Sequence, residues 1–243
     1  MPLTRVTITG ADESATPDDL LALSQEFPFV EWGILVSASS QGASRFPSGP
    51  WIAALQRLAT EHPLHLSLHL CGQWVRDLLV GNALTFSVAF AHAFQRIQLN
   101  FHGTKMACDP TRFPKALAWL GAHRQYIFQL DGAKGAQYLE TYCIDYGNGV
   151  PLFDASGGTG VVPALWPQPF LLINETEYAY HGYAGGLGPE NLAEQLPLIA
   201  AAAGDAHFWI DMESGVRSDD GRQCDLVKVQ RCLDIAAPYV TGA

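Results

Sequence analysis

Short apolar runs of strand length alternate along the chain with longer runs in which apolar residues recur at helical spacing. Eight strand-like runs stand out: Leu3–Thr9, Phe29–Val36, Leu64–Leu70, Arg96–His102, Gln125–Asp131, Val150–Asp154, Tyr180–Ala184 and His207–Asp211. They recur at about 30 residues, the length of one βα unit. Helices are predicted between them at Pro17–Glu26, Pro50–Thr60, Gln73–Phe94 with a break near Gly81, Pro110–Gly121, Lys134–Tyr146, Pro189–Ala203 and Asp225–Tyr239. Several open with proline, whose missing N–H costs nothing in a first turn. The proline-rich stretch Val161–Thr176 fits neither pattern. Strands alternating with helices predict a parallel sheet, and eight repeats predict its closure into a single-domain (β/α)8 TIM barrel over residues 1–243.

Strands buried on both faces usually read as unbroken apolar runs, so an alternating strand is informative. In His65-Leu66-Ser67-Leu68-His69-Leu70-Cys71 the leucines share one face and the polar residues the other. The outside of a barrel packs on helices, so the leucines point outward and the histidines inward. By the same rule Gln98, Asn100 and His102 point inward from the fourth strand, and Gln129 and Asp131 from the fifth. Thr9, His69, Cys71, His102, Asp131, Asp154 and Asp211 thus converge at the C-terminal ends of the strands, where barrels carry active sites. Trp209 is a further candidate for that mouth.

The 14 Lys and Arg against 24 Asp and Glu leave a net charge of −10, which argues against nucleic acid as a partner. No apolar stretch approaches the roughly 18 residues of a membrane span, and the N-terminus lacks an export signal, so a cytoplasmic protein without a membrane partner is expected. Five cysteines without a CxxC pair fit reduced thiols. The oligomeric state is not legible.

Three glycine-rich loops follow the last three strands: Asp154-Ala155-Ser156-Gly157-Gly158-Thr159-Gly160, Ala184-Gly185-Gly186-Leu187-Gly188-Pro189-Glu190-Asn191 and Asp211-Met212-Glu213-Ser214-Gly215-Val216. Free backbone N–H groups there suit a phosphate, and a helix opening at Pro189 would add its N-terminus. The order D-x-x-G-G-T-G, A-G-G-L-x-P-E-N, D-x-x-S-G-V resembles phosphoribosylanthranilate isomerase. Ser44-Arg45-Phe46 and Gln98-Leu99-Asn100-Phe101-His102-Gly103 resemble its front half more loosely.

The resemblance implies an Amadori-type aldose–ketose isomerisation of a small phosphorylated sugar amine, without a cofactor or metal. It assigns the general acid to Asp154, a phosphate cradle to Gly158, Gly185, Gly186, Ser214 and Gly215, and a substrate carboxylate to Arg45. His69, Asn100, Asp131 and Asp211 are further substrate-binding candidates. The family's cysteine base is Thr9 here, a hydroxyl too weakly acidic to supply an anion unaided. Cys71, His69 and His102 are candidates for a relocated base. Glu213 puts a negative charge beside the cradle, which Arg217 or its orientation would have to offset. Two other readings stay open: a metal-assisted enzyme using the His and Asp cluster, and a non-catalytic phosphosugar-binding relative.

Overall fold

The computed structural model describes residues 2–82, 93–101, 107–130, 133–143, 148–154, 160–170 and 179–241. Eight parallel strands close in chain order: β1 Leu3–Thr9, β2 Val30–Ser37, β3 His65–Cys71, β4 Arg96–Leu99, β5 Gln125–Leu130, β6 Gly149–Asp154, β7 His181–Ala184 and β8 Phe208–Met212. Among the described residues lie seven α-helices: α1 Pro17–Glu26, α2 Gly49–Glu61, α3 Gln73–Leu79, α4 Arg112–Gly121, α5 Ala133–Cys143, α6 Leu192–Ala203 and α7 Leu226–Ala236. The seam joins β1 to β8, with Leu3 opposite Phe208 and Thr7 opposite Asp211.

Local chemistry starts several helices. Thr16 caps α1 through a capping box with Asp19, and Pro17 occupies the first turn. Ser48 caps α2 by accepting from the Trp51 amide, and Asp225 caps α7 by accepting from Val227 and Lys228. Each helix then buries an apolar stripe on the barrel, such as Phe113, Leu117 and Leu120 on α4 or Val229, Cys232 and Leu233 on α7. At roughly 1.5–3 kcal/mol per fully buried large apolar side chain, these stripes are the main force holding helices to sheet.

Most helix boundaries fall within two residues of the sequence pattern, α4 for instance starting at Arg112 and not at Pro110, and three differ in a way that has a physical cause. The long helix expected from Gln73 stops at Leu79, just before Gly81 takes a φ of +78°, and the rest of that expectation, residues 83–92, lies outside the described residues. Pro189 does not open a helix. It sits in a turn in which the amides of Asn191 and Leu192 donate to the Gly188 carbonyl, and α6 starts at Leu192. The last helix tightens into a 3₁₀ turn at Ala237–Tyr239, because Pro238 has no N–H to continue the α pattern.

The barrel interior is divided. β1 to β4 send Thr7, Thr9, Glu31, Ser67, His69, Arg96 and Gln98 inward, all buried. β5, β6 and β8 contribute an apolar cluster of Ile127, Val150, Leu152 and Trp209. Trp209 therefore fills the interior below the mouth and does not line it. Its indole fits because β7 has Gly182 alongside, where a Cβ would stand 2.2 Å from the ring.

Candidate active site

A pocket of about 240 Å³ opens at the C-terminal ends of the strands. Its walls include Thr9, His69, Cys71, Asn100, Asp154 and Asp211, each expected there from strand alternation or from its place at a strand end, and the glycine loops close one side through Gly160, Gly185, Gly186, Ser214 and Gly215. His102, Asp131 and Gly158 lie outside the described residues.

Asp211 is the electrostatic centre. The residue is only 8% exposed, and its carboxyl accepts a hydrogen bond from the Thr9 hydroxyl at 2.7 Å. Burial, reinforced by Glu213, Glu31 and Asp154, pushes its pKa up to about 7 against the pull of the Thr9 bond. Thr9 and His69 reach this interior because β2 has Gly33 between them: a Cβ there would stand 2.3 Å from Thr9 Oγ1 and 2.8 Å from His69 Cε1. Gly33 escaped the sequence reading. Its one signal was a glycine within an otherwise apolar strand.

The other polar walls form two groups. Gln129 Nε2 donates to Asp154 Oδ2 at 2.6 Å. Gln98 Nε2 donates to Asn100 Oδ1 at 2.9 Å, and Asn100 Nδ2 donates to Cys71 Sγ at 3.2 Å. Cys71 is a poor candidate for the relocated base, since burial pushes its thiol up to about 12. His69 fares no better: burial, with the Arg96 charge, depresses it to about 3. Its ring is neutral, and among the described residues both nitrogens lack a hydrogen-bond partner, as do Gln98 Oε1 and Gln129 Oε1. Such orphaned buried groups need explaining, and a ligand rich in hydroxyls would satisfy them.

Arg45 does not line the pocket. It stands on the β2–α2 loop with φ +74°, and its Nη1 pairs with Glu213 Oε1 at 2.8 Å. The charge that offsets Glu213 is thus Arg45, not Arg217. Arg217 is buried elsewhere, pairing with Asp12 at 2.9 Å and donating to the Gly10 carbonyl.

The glycines of the cradle are packed backbone to backbone. A Cβ on Gly215 would lie 2.1 Å from the Leu187 carbonyl oxygen, and one on Gly186 2.6 Å from that of Gly160. Asn191 braces the loop by donating to the Gly186 carbonyl and accepting from the Gly188 amide. The amides of Gly185, Gly186, Ser214 and Gly215 make no loop hydrogen bond to another described residue. Among the described residues no group of three or more His, Cys, Asp or Glu is arranged to hold a metal.

Solved structures of similar shape include a truncated 3-deoxy-D-arabino-heptulosonate 7-phosphate synthase from Thermotoga maritima, at 11% identity and a TM-score of 0.57 over 98% of this chain and 86% of that one. A 3-keto-L-gulonate-6-phosphate decarboxylase from Vibrio cholerae O1 biovar El Tor matches at 12% identity and a TM-score of 0.50, over 96% and 98% of the two chains. A GH113 β-1,4-mannanase matches at 9% identity and a TM-score of 0.53, over 100% and 99%. The chain is a (β/α)8 barrel. No protein-family model and no curated protein matches it by sequence. Likeness at these identities extends to the fold and no further, and barrels of this kind host many chemistries at one mouth. No helix among the described residues is long and apolar enough to cross a membrane.

Proposed function

We propose that the barrel mouth is the active site of an aldose–ketose isomerase acting on a small phosphorylated sugar amine, in the manner of phosphoribosylanthranilate isomerase, with Asp211 as the base that Thr9 cannot be. The observation that carries this reading is the 2.7 Å bond from Thr9, at the position the resemblance gives to the base, to a carboxyl with a pKa of about 7. A carboxyl poised there is half ionised near neutrality, which suits proton abstraction.

In the step as proposed, Asp154 gives a proton to the ring oxygen, the C1–O bond breaks and an iminium forms at C1. Asp211 then takes the proton from C2, and the C–H electrons become the C1=C2 bond of an enolamine, which tautomerises to the aminoketose. No electrons leave the substrate, so no redox cofactor enters. The Gln98 and Gln129 carbonyl oxygens and the His69 ring, unpartnered among the described residues, would meet sugar hydroxyls. The amides of Gly185, Gly186, Ser214 and Gly215 would take the phosphate, as neutral donors suit a wall that has no Lys or Arg among the described residues. Two of the solved structures of similar shape are named for phosphorylated sugars.

The test is direct. Purified protein incubated with phosphoribosylanthranilate should give the aminoketose, and Asp211→Asn and Asp154→Asn should each lower the rate by about 100-fold or more. Thermal stabilisation by the substrate without turnover would leave the non-catalytic binding reading in its place. Turnover unaffected by Asp211→Asn would remove Asp211 from the base role.

A further inference from the structure

The N-terminal end of the barrel holds a second cavity, of about 830 Å³, on the face opposite the mouth. Its charge is inverted. Among the described residues Arg5, Arg96, His65, His123 and His207 stand in its wall beside a single carboxylate, Glu31. In a chain of net charge −10 that concentration of basic groups runs against composition.

Arg96 is the informative residue. Its side chain is 6% exposed and its Nη1 pairs with Glu31 Oε1 at 2.8 Å, the same oxygen that accepts from Thr7 at 2.9 Å. The guanidinium lies over the Trp209 ring at 4.0 Å and near the Tyr180 ring at 5.6 Å, so its plane is held on both counts. Glu31 occupies only one N–H. The Nε and Nη2 donors have no hydrogen-bond partner among the described residues. These two form one edge of the planar group, the fork that matches two oxygens of a carboxylate or phosphate. A buried guanidinium with that edge empty is costly unless something fills it. Arg5, at the rim, has no ion pair with another described residue.

We propose that this cavity is a binding site for a small oxyanion, a carboxylate or phosphate group held two-pronged by Nε and Nη2 of Arg96, with Arg5 supplying further positive field. The site is separate from the mouth and does not depend on the isomerase reading. A purely structural Arg96 would explain the Glu31 pair but not the empty fork.

The experiment is a titration of protein carrying ¹⁵N-arginine and ¹⁵N-glycine, with inorganic phosphate, with succinate and with ribose as a neutral control. Phosphate or succinate should move the Arg96 Nε–H resonance saturably, and ribose should not. Movement with one anion alone names the headgroup. Arg96→Lys keeps a cation beside Glu31 but loses the fork, and should weaken binding at least about tenfold by calorimetry, while Arg5→Gln should weaken it about threefold. If Arg96→Lys fails to fold, the native Arg96 resonance and Arg5→Gln still decide. An Arg96 resonance indifferent to both anions overturns the proposal. So does phosphate that moves the Gly185 and Gly215 amides and leaves Arg96 unmoved, a result that would favour the cradle at the mouth.

Discussion

At Asp211 a single buried carboxyl couples chemistry to stability. Its folded pKa of about 7 lies above the ordinary 3.8, so the folded state holds its proton more tightly than the unfolded chain does. The sign follows: its contribution is fully present below pH 4 or so and is lost as pH rises towards 7, a swing on the order of 3–4 kcal/mol. Asp211→Asn removes the titration and keeps an acceptor for Thr9. The variant should therefore melt several degrees above the parent at pH 8 and close to it at pH 4, by calorimetry across that range. Thr9→Val acts the other way on the pKa. It deletes the donor that favours the carboxylate, so the acidic limb of a pH–rate profile should move up by about one unit. An unmoved limb would mean that the rate does not report Asp211.

At the scale of elements, the glycine loops raise the question of turn versus close approach. Gly215 has no positive φ, so it is not there for its conformation. A Cβ there would meet Leu187 main chain at 2.1 Å and would have to push the β7 and β8 loops apart. Gly215→Ala should cost roughly 2 kcal/mol or more in urea unfolding and weaken any ligand of the mouth. Gly49, in the first turn of α2, has open space around its missing Cβ. Gly49→Ala should leave ligand binding alone and change the fold's stability by less than about 1 kcal/mol, since the helix-propensity gain of Ala is offset by crowding between its Cβ and the ring of Pro50. Equal effects at the two glycines would dismiss the close-approach argument.

Elements were also where the sequence was most readable. β-alternation placed His69, Cys71, Asn100 and Gln129 on the inner face because the outer face of each strand must be apolar to meet a helix. The same alternation applies to Glu31 and Arg96, yet their pairing depends on two strands 65 residues apart meeting at one level, which periodicity does not encode. That Arg45 and not Arg217 meets Glu213 is illegible in the sequence for a similar reason. Loop side chains obey no period, and which arginine reaches which carboxylate is decided by three loops folding over one another.

On the scale of the whole molecule, that loop meeting point closes the barrel. Arg217, 2% exposed, donates to the Gly10 carbonyl from Nη1, to Asp12, Ser44 and the Arg222 carbonyl from Nη2, and to the Gly221 carbonyl from Nε. One side chain thereby ties the loops after β1, β2 and β8 across the seam where the first strand meets the last. Burial by itself raises the Asp12 carboxyl, but hydrogen bonds from Ser14, the Arg45 amide and Arg217 outweigh it and hold Asp12 below its ordinary value. Removing Arg217 leaves that carboxylate buried without its cation, so Arg217→Met should cost about 3–5 kcal/mol at neutral pH. The loss belongs to a charged Asp12. A depressed carboxyl gives stability that is present above its unfolded pKa and lost as pH falls through its folded one, so parent and variant should converge in acid, once Asp12 is protonated in both. Adding Asp12→Asn should restore part of the loss at pH 7 and flatten the acid dependence, as a double-mutant cycle in urea would measure. A deficit that stays constant with pH and is untouched by Asp12→Asn would assign Arg217 to its carbonyl bonds alone. The seam would then be held by main-chain contacts and not by an ion pair.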